Sequence, residues 1–565
     1  MRTQYGRLRR EWQALPITAL ILAYAPQNIQ ANDWPQWGGH DFGRNMVSPE
    51  KGLPANFIPG EKSTTSEGLL PGSTENVRWV VDLGAYIFGN PTVTGGRVFA
   101  GTDDTNLHGD SRFKQTKGGM VQCLDEKTGE LIWRMIVPNR AAERLPAGAL
   151  YGQQHFGTCS SPAVAGDRAY VMTGACEILC LDVNGLANGN DGPFQDEGQY
   201  MVGPGKTAVP LVKTDGDIIW KRDLVDELGV CPHDVASCSP LLDGQFLYTE
   251  TCNGVDQPHD KCLRPDAPSF ICLDARTGRL LARDDEKLGQ RMWHCLWSPP
   301  SLGVVDGKKL IFFGGSDGLC YAFEALTSAP DKPVHFKKVW EYDCVPPEFR
   351  FRESGLIPYY EGDKRKKWST NKDDGKFLGP SELISTPVFY EGRIYATIGQ
   401  DPMHGRGRGL LHCIDASKKG DITKSGCVWI YDGIERTISS VAIQDGLLYA
   451  VDLPGKVHCL DLATGKPYWV YETKAETWGT PLVADGKIYI GNKKRLVVLA
   501  TGKEPKLLAE VKLGTPVYGT LLAADGTLFA ASQRRLWAVQ QGATLLPQYL
   551  VKTEGAAKTE ASAGP

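Results

Sequence analysis

One unit recurs eight times along this chain of 565 residues, and it limits the fold more than any other feature. Internal repetition at a fixed spacing is the signature of an architecture built from identical supersecondary pieces. Each unit opens on a pair such as Asn90-Pro91, Ser161-Pro162, Ser239-Pro240, Pro299-Pro300, Thr386-Pro387, Ser440-Val441, Thr480-Pro481 or Thr520-Leu521, followed by an apolar β-branched run. A Gly-containing turn comes next, as in Asp306-Gly307, Asp445-Gly446 and Asp485-Gly486, and then a second strand rich in Tyr and Phe. Asp-Gly supplies the positive φ that a tight hairpin needs. A third strand carries Leu/Ile-Asp, as in Cys123-Leu124-Asp125 and Cys459-Leu460-Asp461, and a fourth brings Trp133, Trp220, Trp340, Trp429 or Trp469. Four antiparallel strands per unit make a propeller blade. The last three units start at 441, 481 and 521, so the bare blade is 40 residues and the earlier units carry insertions.

The eighth unit ends near Gln540 without a fourth strand, whereas Val77-Arg78-Trp79-Val80-Val81-Asp82-Leu83 near the other end is a strand without a blade. Pairing the two closes the ring and removes an exposed sheet edge. The sequence therefore predicts an all-β, eight-bladed propeller over 75–542, preceded by a wrapping segment at 32–74 and followed by a disordered Ala/Gly/Lys-rich tail within 543–565. Residues 1–31 read as a secretory signal: Arg2, Arg7, Arg9 and Arg10 precede an apolar run from Ala14 to Ala25 that is too short to span a bilayer. The paired Arg9-Arg10 leaves general or twin-arginine export open. The expected location is periplasmic or secreted.

Repeats of this form, with Leu-Asp-x-x-Thr-Gly and a fourth-strand Trp, resemble the pyrroloquinoline-quinone (PQQ)-type propeller repeat, over essentially all of the mature chain. The opening Asp33-Trp34-Pro35-Gln36-Trp37-Gly38-Gly39 is similar to that of a secreted bacterial subgroup. The resemblance implies tryptophans that dock one blade on the next. It leaves function open, because the repeat serves quinone-dependent alcohol dehydrogenases and non-enzymatic scaffolds alike.

Lys+Arg 62 against Asp+Glu 66 gives a net charge of -4, which lacks the cationic footprint of a nucleic-acid binder. Six of the 15 cysteines (Cys123, Cys180, Cys272, Cys320, Cys413 and Cys459) share one third-strand slot and read as small buried hydrophobes. Cys231 with Cys238, and Cys252 with Cys262, are close enough in sequence to form disulfides in an oxidising compartment. No Cys-x-x-Cys-His haem motif and no vicinal Cys-Cys pair occurs.

In a four-stranded blade, the loop entering the first strand and the loop joining strands two and three open on the same face. Residues of those loops from different blades therefore converge on the channel mouth. His155, His233, Asp234, His294, Trp297, Glu382, Arg436 and Trp478 come from entering loops, and Glu177, Asn253, Asp256, Asp401 and His404 from inter-strand loops. Trp297, Trp478, Arg436, His155 and His233 are the candidates for holding a ligand or quinone. The resemblance makes Glu177, in Gly174-Ala175-Cys176-Glu177, and Asn253 the candidate metal ligands for calcium, which polarises PQQ in the family's dehydrogenases. The family's His-Asp-x-Trp-Asp stretch, which carries the catalytic base, reads His294-Cys295-Leu296-Trp297-Ser298 here, with neither Asp. His294, Asp234 and Asp256 remain as candidate bases. The sequence favours a scaffold that binds a small-molecule or protein ligand on its channel face, with a degenerate quinone site. The alternative is a PQQ- and calcium-dependent dehydrogenase acting on an alcohol or sugar.

Overall fold

The computed structural model describes residues 33–64, 66–140, 144–150, 155–362 and 364–551. Residues 1–32, which include the expected secretory signal, and residues 552–565 lie outside them. Eight four-stranded antiparallel blades form the propeller, seven of them in chain order from the innermost strand outward. Blade 1 comprises Thr92–Thr94, Arg97–Asp103, Gly119–Asp125 and Leu131–Val137. The hairpin turns are as the sequence requires: Asp306 and Gly307 have φ of 49° and 76°, and Asp485 and Gly486 have 51° and 69°. Successive positive φ values match the right-handed twist of the flanking strands.

The ring closes between the two ends of the propeller. Val77–Asp82 pairs antiparallel with Arg535–Val539, setting Trp79 opposite Ala538 and Val80 opposite Trp537. Trp79 is fully buried, and its indole Nε1 donates to Glu126 O of blade 1 at 2.8 Å. The same bond recurs around the ring, from Trp133 to Val183 O (2.8 Å), Trp220 to Ala275 O (3.0 Å), Trp340 to Ala416 O (3.1 Å) and Trp469 to Gly502 O (3.0 Å). The Thr-Gly turns of the repeat belong to this joint. A Cβ on Gly278 would stand 2.6 Å from the Trp220 ring, so only glycine admits the neighbouring blade's indole.

A second set of joints circles the channel. The backbone N–H of each residue preceding an innermost strand donates to the side chain at the same position of the next blade. The bonds run from Ser161 to Ser239 Oγ (2.9 Å), Thr386 to Ser440 Oγ (2.9 Å), Ser440 to Thr480 Oγ1 (2.9 Å) and Thr480 to Thr520 Oγ1 (2.8 Å). Thr520 N donates to Asn90 Oδ1 and Asn90 N to Ser161 Oγ, which carries the series across the closure. Pro299 interrupts it, having neither an N–H nor a hydroxyl. There the buried guanidinium of Arg44 reaches Pro240 O (3.1 Å) and Pro300 O (3.0 Å), and also bonds Trp37 O.

Arg44 belongs to the wrapping segment, which enters the ring of innermost strands and touches every blade in turn. Trp34 pairs with Val93, Pro35 O accepts from Val164 N, Gln36 Oε1 from Leu242 N and Phe42 O from Leu302 N. Gly43 O then accepts from Phe389 N, Asn45 Oδ1 from Ile443 N and Met46 O from Val483 N, while Ser48 Oγ donates to Ala523 O. The segment is thus a plug across one end of the channel. At the other terminus, residues 543–551, expected within a disordered tail, pack back: Leu546 N donates to Arg78 O, Leu69 N to Tyr549 O, and Tyr549 Oη to Thr128 O.

All fifteen cysteines are free thiols, so the two expected disulfides are absent. Cys238 Sγ faces Ser298 O rather than Cys231, and Cys262 Sγ accepts from Asn253 Nδ2 rather than meeting Cys252. Proximity in sequence did not bring those sulfurs together. The six slot cysteines are fully buried, as expected.

Arg44→Met leaves three carbonyls without their donor and is expected to cost about 3 kcal/mol, read as a lower denaturation midpoint; an unchanged midpoint would show that the plug is dispensable. Burial, and then the charges of Asp525 and Asp33, push Glu126 at the closure joint up to about 7. The folded state therefore keeps a proton that the unfolded chain loses near the ordinary glutamate value of 4.5, and stability falls as pH rises between those values. Glu126→Gln is accordingly expected to raise the thermal midpoint more at pH 8 than at pH 5; an equal gain at both contradicts the assignment.

Candidate functional site

The innermost strands of all eight blades surround an axial cavity of about 430 Å³, whose lining includes Trp37 of the plug. One wall is aromatic. Trp478 and Tyr518 have ring centroids 4.3 Å apart, and Phe88 lies 5.2 Å from Tyr518 and 5.3 Å from Phe156. The opposite side carries Trp297, Asp234, Asp401 and Met403. Both tryptophans named from the sequence, Trp297 and Trp478, thus reach the cavity. Trp297 is fixed by its Nε1 bond to Val235 O (2.8 Å) and Trp478 by its bond to Glu476 Oε1 (2.6 Å). Among the described residues the lining includes two carboxylates and no Lys, Arg or His.

Beside Asp234 and Asp401 stands a group of four imidazoles. His233 comes from the entering loop of blade 3, His259 from its inter-strand loop, His294 from the entering loop of blade 4 and His404 from the inter-strand loop of blade 5. Ring centroids of His233 lie 4.4 Å from His294 and 4.6 Å from His259, and His404 lies 5.1 Å from His294. Glycine makes the approach possible, since a Cβ on Gly254 would stand 2.5 Å from His233 Cβ. Val255 N donates to His294 O at 2.9 Å and locks the two blades' loops together. Burial pushes His233 down to about 3 and His259 and His404 to about 4, and it lowers His294 too, so all four are neutral imidazoles at pH 7.

Carboxylates surround the group. Glu382 Oε1 lies 3.8 Å from His294 Nδ1, Asp401 Oδ2 lies 3.8 Å from His294 Nε2, and Asp234 Oδ2 lies 3.7 Å from His233 Nε2. Burial raises Glu382 to about 8, and burial followed by the charge of Asp401 raises Asp234 to about 7. Of the three candidate bases, His294 is too deeply buried to accept a proton readily. Asp256 is committed to the backbone of its own loop, accepting from Asp260 N (2.7 Å) and Lys261 N (3.2 Å). Asp234 alone lines the cavity with a carboxylate oxygen, Oδ1, that has no hydrogen-bond partner.

The remaining named residues lie elsewhere. His155 Nε2 pairs with Asp104 Oδ1 at 2.5 Å, away from the four imidazoles. Arg436 is fully buried, bonds Ser381 Oγ (2.7 Å) and the carbonyls of Gly379 and Pro380, and does not reach the cavity. Glu177 and Asn253 do not fit a calcium ion. Glu177 is saturated by Arg140 (3.3 Å), Lys221 (3.1 Å) and the Tyr200 hydroxyl (2.6 Å), whose cations replace any metal charge. Asn253 spends its Oδ1 on Cys231 N (3.0 Å) and its Nδ2 on Arg264 O (2.9 Å). Cys295 and Ser298 stand without a carboxylate of their own. Cys295 Sγ donates to Cys252 O and Ser298 Oγ to Ser385 O. His259 escaped the sequence reading, although Asp256-Gln257-Pro258-His259 lies in a loop that the same topological rule selects.

A family model described as outer membrane protein assembly factor BamB matches residues 117–329 and 406–541, more than half the chain. The chain belongs to this family of PQQ-like β-propellers. No curated protein matches it. Among solved structures, the quinohemoprotein alcohol dehydrogenase of Comamonas testosteroni is 12% identical with a TM-score of 0.53, over 92% of this chain and 82% of that one. A europium-containing methanol dehydrogenase is 13% identical with a TM-score of 0.52, over 89% and 90%. Quinohemoprotein alcohol dehydrogenase ADHIIG from Pseudomonas putida HK5 is 11% identical with a TM-score of 0.53, over 94% and 85%. At such identities the likeness is one of fold.

Glu177→Gln is expected to lower the thermal midpoint by the same amount with and without millimolar calcium, because it unpairs Arg140 and Lys221. A calcium-dependent midpoint that this substitution abolishes would restore Glu177 as a metal ligand.

Proposed function

We propose that this propeller is an extracytoplasmic binding protein whose axial cavity holds a flat aromatic ligand that is neutral or cationic, and that its quinone site is degenerate. The observation that carries this is the lining: aromatic rings from several blades, two carboxylates and no basic residue among the described residues. PQQ is a tricarboxylate and needs cations around it. A cavity that offers Asp401 and Asp234, the latter raised to about 7, and no cation leaves such a ligand's charge unmet; an ammonium holds both carboxyls ionised and is favoured by the faces of Trp297 and Trp478 as well. The Arg-rich, apolar start of the sequence supports an address outside the cytoplasm. Among the described residues no helix is long and apolar enough to cross a membrane.

Aromatic rings supply binding energy with little loss of side-chain freedom. The plug closes the far end of the channel, so a ligand enters from the mouth where Met403 and Tyr86 are exposed. No step through quinone or calcium follows from these residues.

The test is tryptophan fluorescence titration with phenylethylammonium, its uncharged analogue phenylethanol, the carboxylate phenylpropionate, and PQQ with calcium. The ammonium is expected to bind at least about tenfold more tightly than the carboxylate, and Asp234→Asn to reduce that preference. Saturable binding of PQQ with calcium, accompanied by reduction of an electron-accepting dye on adding alcohol, would instead establish a dehydrogenase.

A further inference from the structure

We propose that His233, His259, His294 and His404, with Asp401, form a binding site for one divalent transition-metal ion of zinc or copper type. The site lies at the blade 3–5 side of the channel mouth and does not depend on the identity of the cavity ligand. Donor atoms of His233, His259 and His294 all lie within 4.8 Å of one another, as do those of His294, Asp401 and His404. His294 belongs to both sets, so an ion beside it can take its donors from these five side chains. Zinc–nitrogen bonds of about 2.0–2.1 Å place tetrahedral donors roughly 3.4 Å apart. The His259 and His294 Nε2 atoms are already 3.0 Å apart.

The pattern of unmet hydrogen bonds points the same way. His233 Nδ1 donates to Val255 O at 2.7 Å, which fixes the tautomer and leaves a lone pair on Nε2. That Nε2 is buried and has no partner, in a residue of 0% exposure. An imidazole held by a backbone carbonyl through one nitrogen and free at the other is the usual posture of a metal ligand. His294 Nδ1 and Glu382 Oε1, 3.8 Å apart, both lack partners. At that distance no hydrogen bond joins them, but the carboxyl stands behind Nδ1, on the side where carboxylate–histidine pairs back a bound metal. His404 Nδ1 is likewise buried and unmet. Arg365 is buried beside the group and its charge helps lower all four imidazoles, but its guanidinium is occupied by the Trp293 ring, 4.2 Å from the centroid, and its Nε by His259 O.

The donor set selects the metal. Four imidazole nitrogens and one carboxylate suit zinc and copper, whereas calcium and magnesium require oxygen ligands. The four histidines come from three blades held by the closed ring, so the site exists before the ion arrives and binding costs little ordering. Asp401 also lines the axial cavity, which places the ion at the edge of the ligand chamber.

The experiment uses tag-free, full-length mature protein stripped with a chelator and titrated with zinc(II), cobalt(II) and copper(II). One equivalent is expected to bind in each case. Cobalt should give the visible absorption of a low-coordinate nitrogen site, and copper nitrogen hyperfine splitting in its electron paramagnetic resonance spectrum. His259→Gln and His404→Gln, at partly exposed positions where folding should survive, are expected to weaken binding at least about tenfold each. Glu382→Gln, which keeps an oxygen for Ser316 Oγ and Cys295 N but removes the carboxyl behind His294, should weaken it by about 10- to 100-fold. His40→Gln and His335→Gln, at exposed positions outside the cluster, should leave it unchanged. Absence of a stoichiometric complex, or affinity indifferent to His259→Gln and His404→Gln in proteins with wild-type melting curves, identifies the cluster as a hydrogen-bonded histidine group and overturns the proposal.

Discussion

Every other feature of this molecule depends on how its inner ring is closed. Eight blades are held around the channel by bonds from each entering backbone N–H to a hydroxyl or amide of the next blade, and by Arg44 where Pro299 breaks the series. Each such bond contributes only about 1 kcal/mol net. Their value lies in register: they fix the height and spacing of neighbouring innermost strands, and with them the loops those strands begin. The outer indole bonds perform the same service at larger radius, with glycine beneath the ring as the permissive partner. With every thiol free, these non-covalent joints carry the closure.

The plug turns that closure into a chamber. A propeller channel open at both ends would fill with water along its axis. Here residues 34–48 bond to the middle of each innermost strand in sequence around the ring, and Trp37 presents its ring to the space above. Because the segment satisfies backbone groups of strands that face the axis, its binding is directional and cannot slip by one blade without losing the match at Gln36, Asn45 and Ser48.

The blades, the ring closure and the gathering of loop residues on one face were legible in the sequence, since each follows from a repeating pattern and one topological rule. That rule brought His233, His294, Asp401 and His404 together although as many as 171 positions separate them. Other features were not legible, for identifiable reasons. The plug bonds largely through backbone carbonyls, which leave no mark in residue type, and Arg44 looks like any surface arginine until its φ of 65° and burial are seen. Glu177 lies in a segment that resembles a metal-binding one, yet Arg140, from a different loop, and Lys221 pair with it; no local pattern announces that pairing. The disulfide expectation failed because loop length limits which cysteines can meet but does not aim their side chains.

The pairing of Glu177 and the lining of the cavity belong to one electrostatic arrangement. A calcium quinone site concentrates metal charge and cations on the axis. In this chain the cations Arg140 and Lys221 are spent on Glu177 away from the axis, and Arg436 is turned into a loop brace. The axis is left with Asp234, Asp401, aromatic rings and neutral imidazoles. Both proposals use this arrangement, the cavity ligand through the aromatic lining and Asp234, the metal ion through the imidazoles beside it. The fold permits it because the joints between blades lie in strand ends and turns, leaving the residues that face the channel mouth free to change sign without loosening the ring.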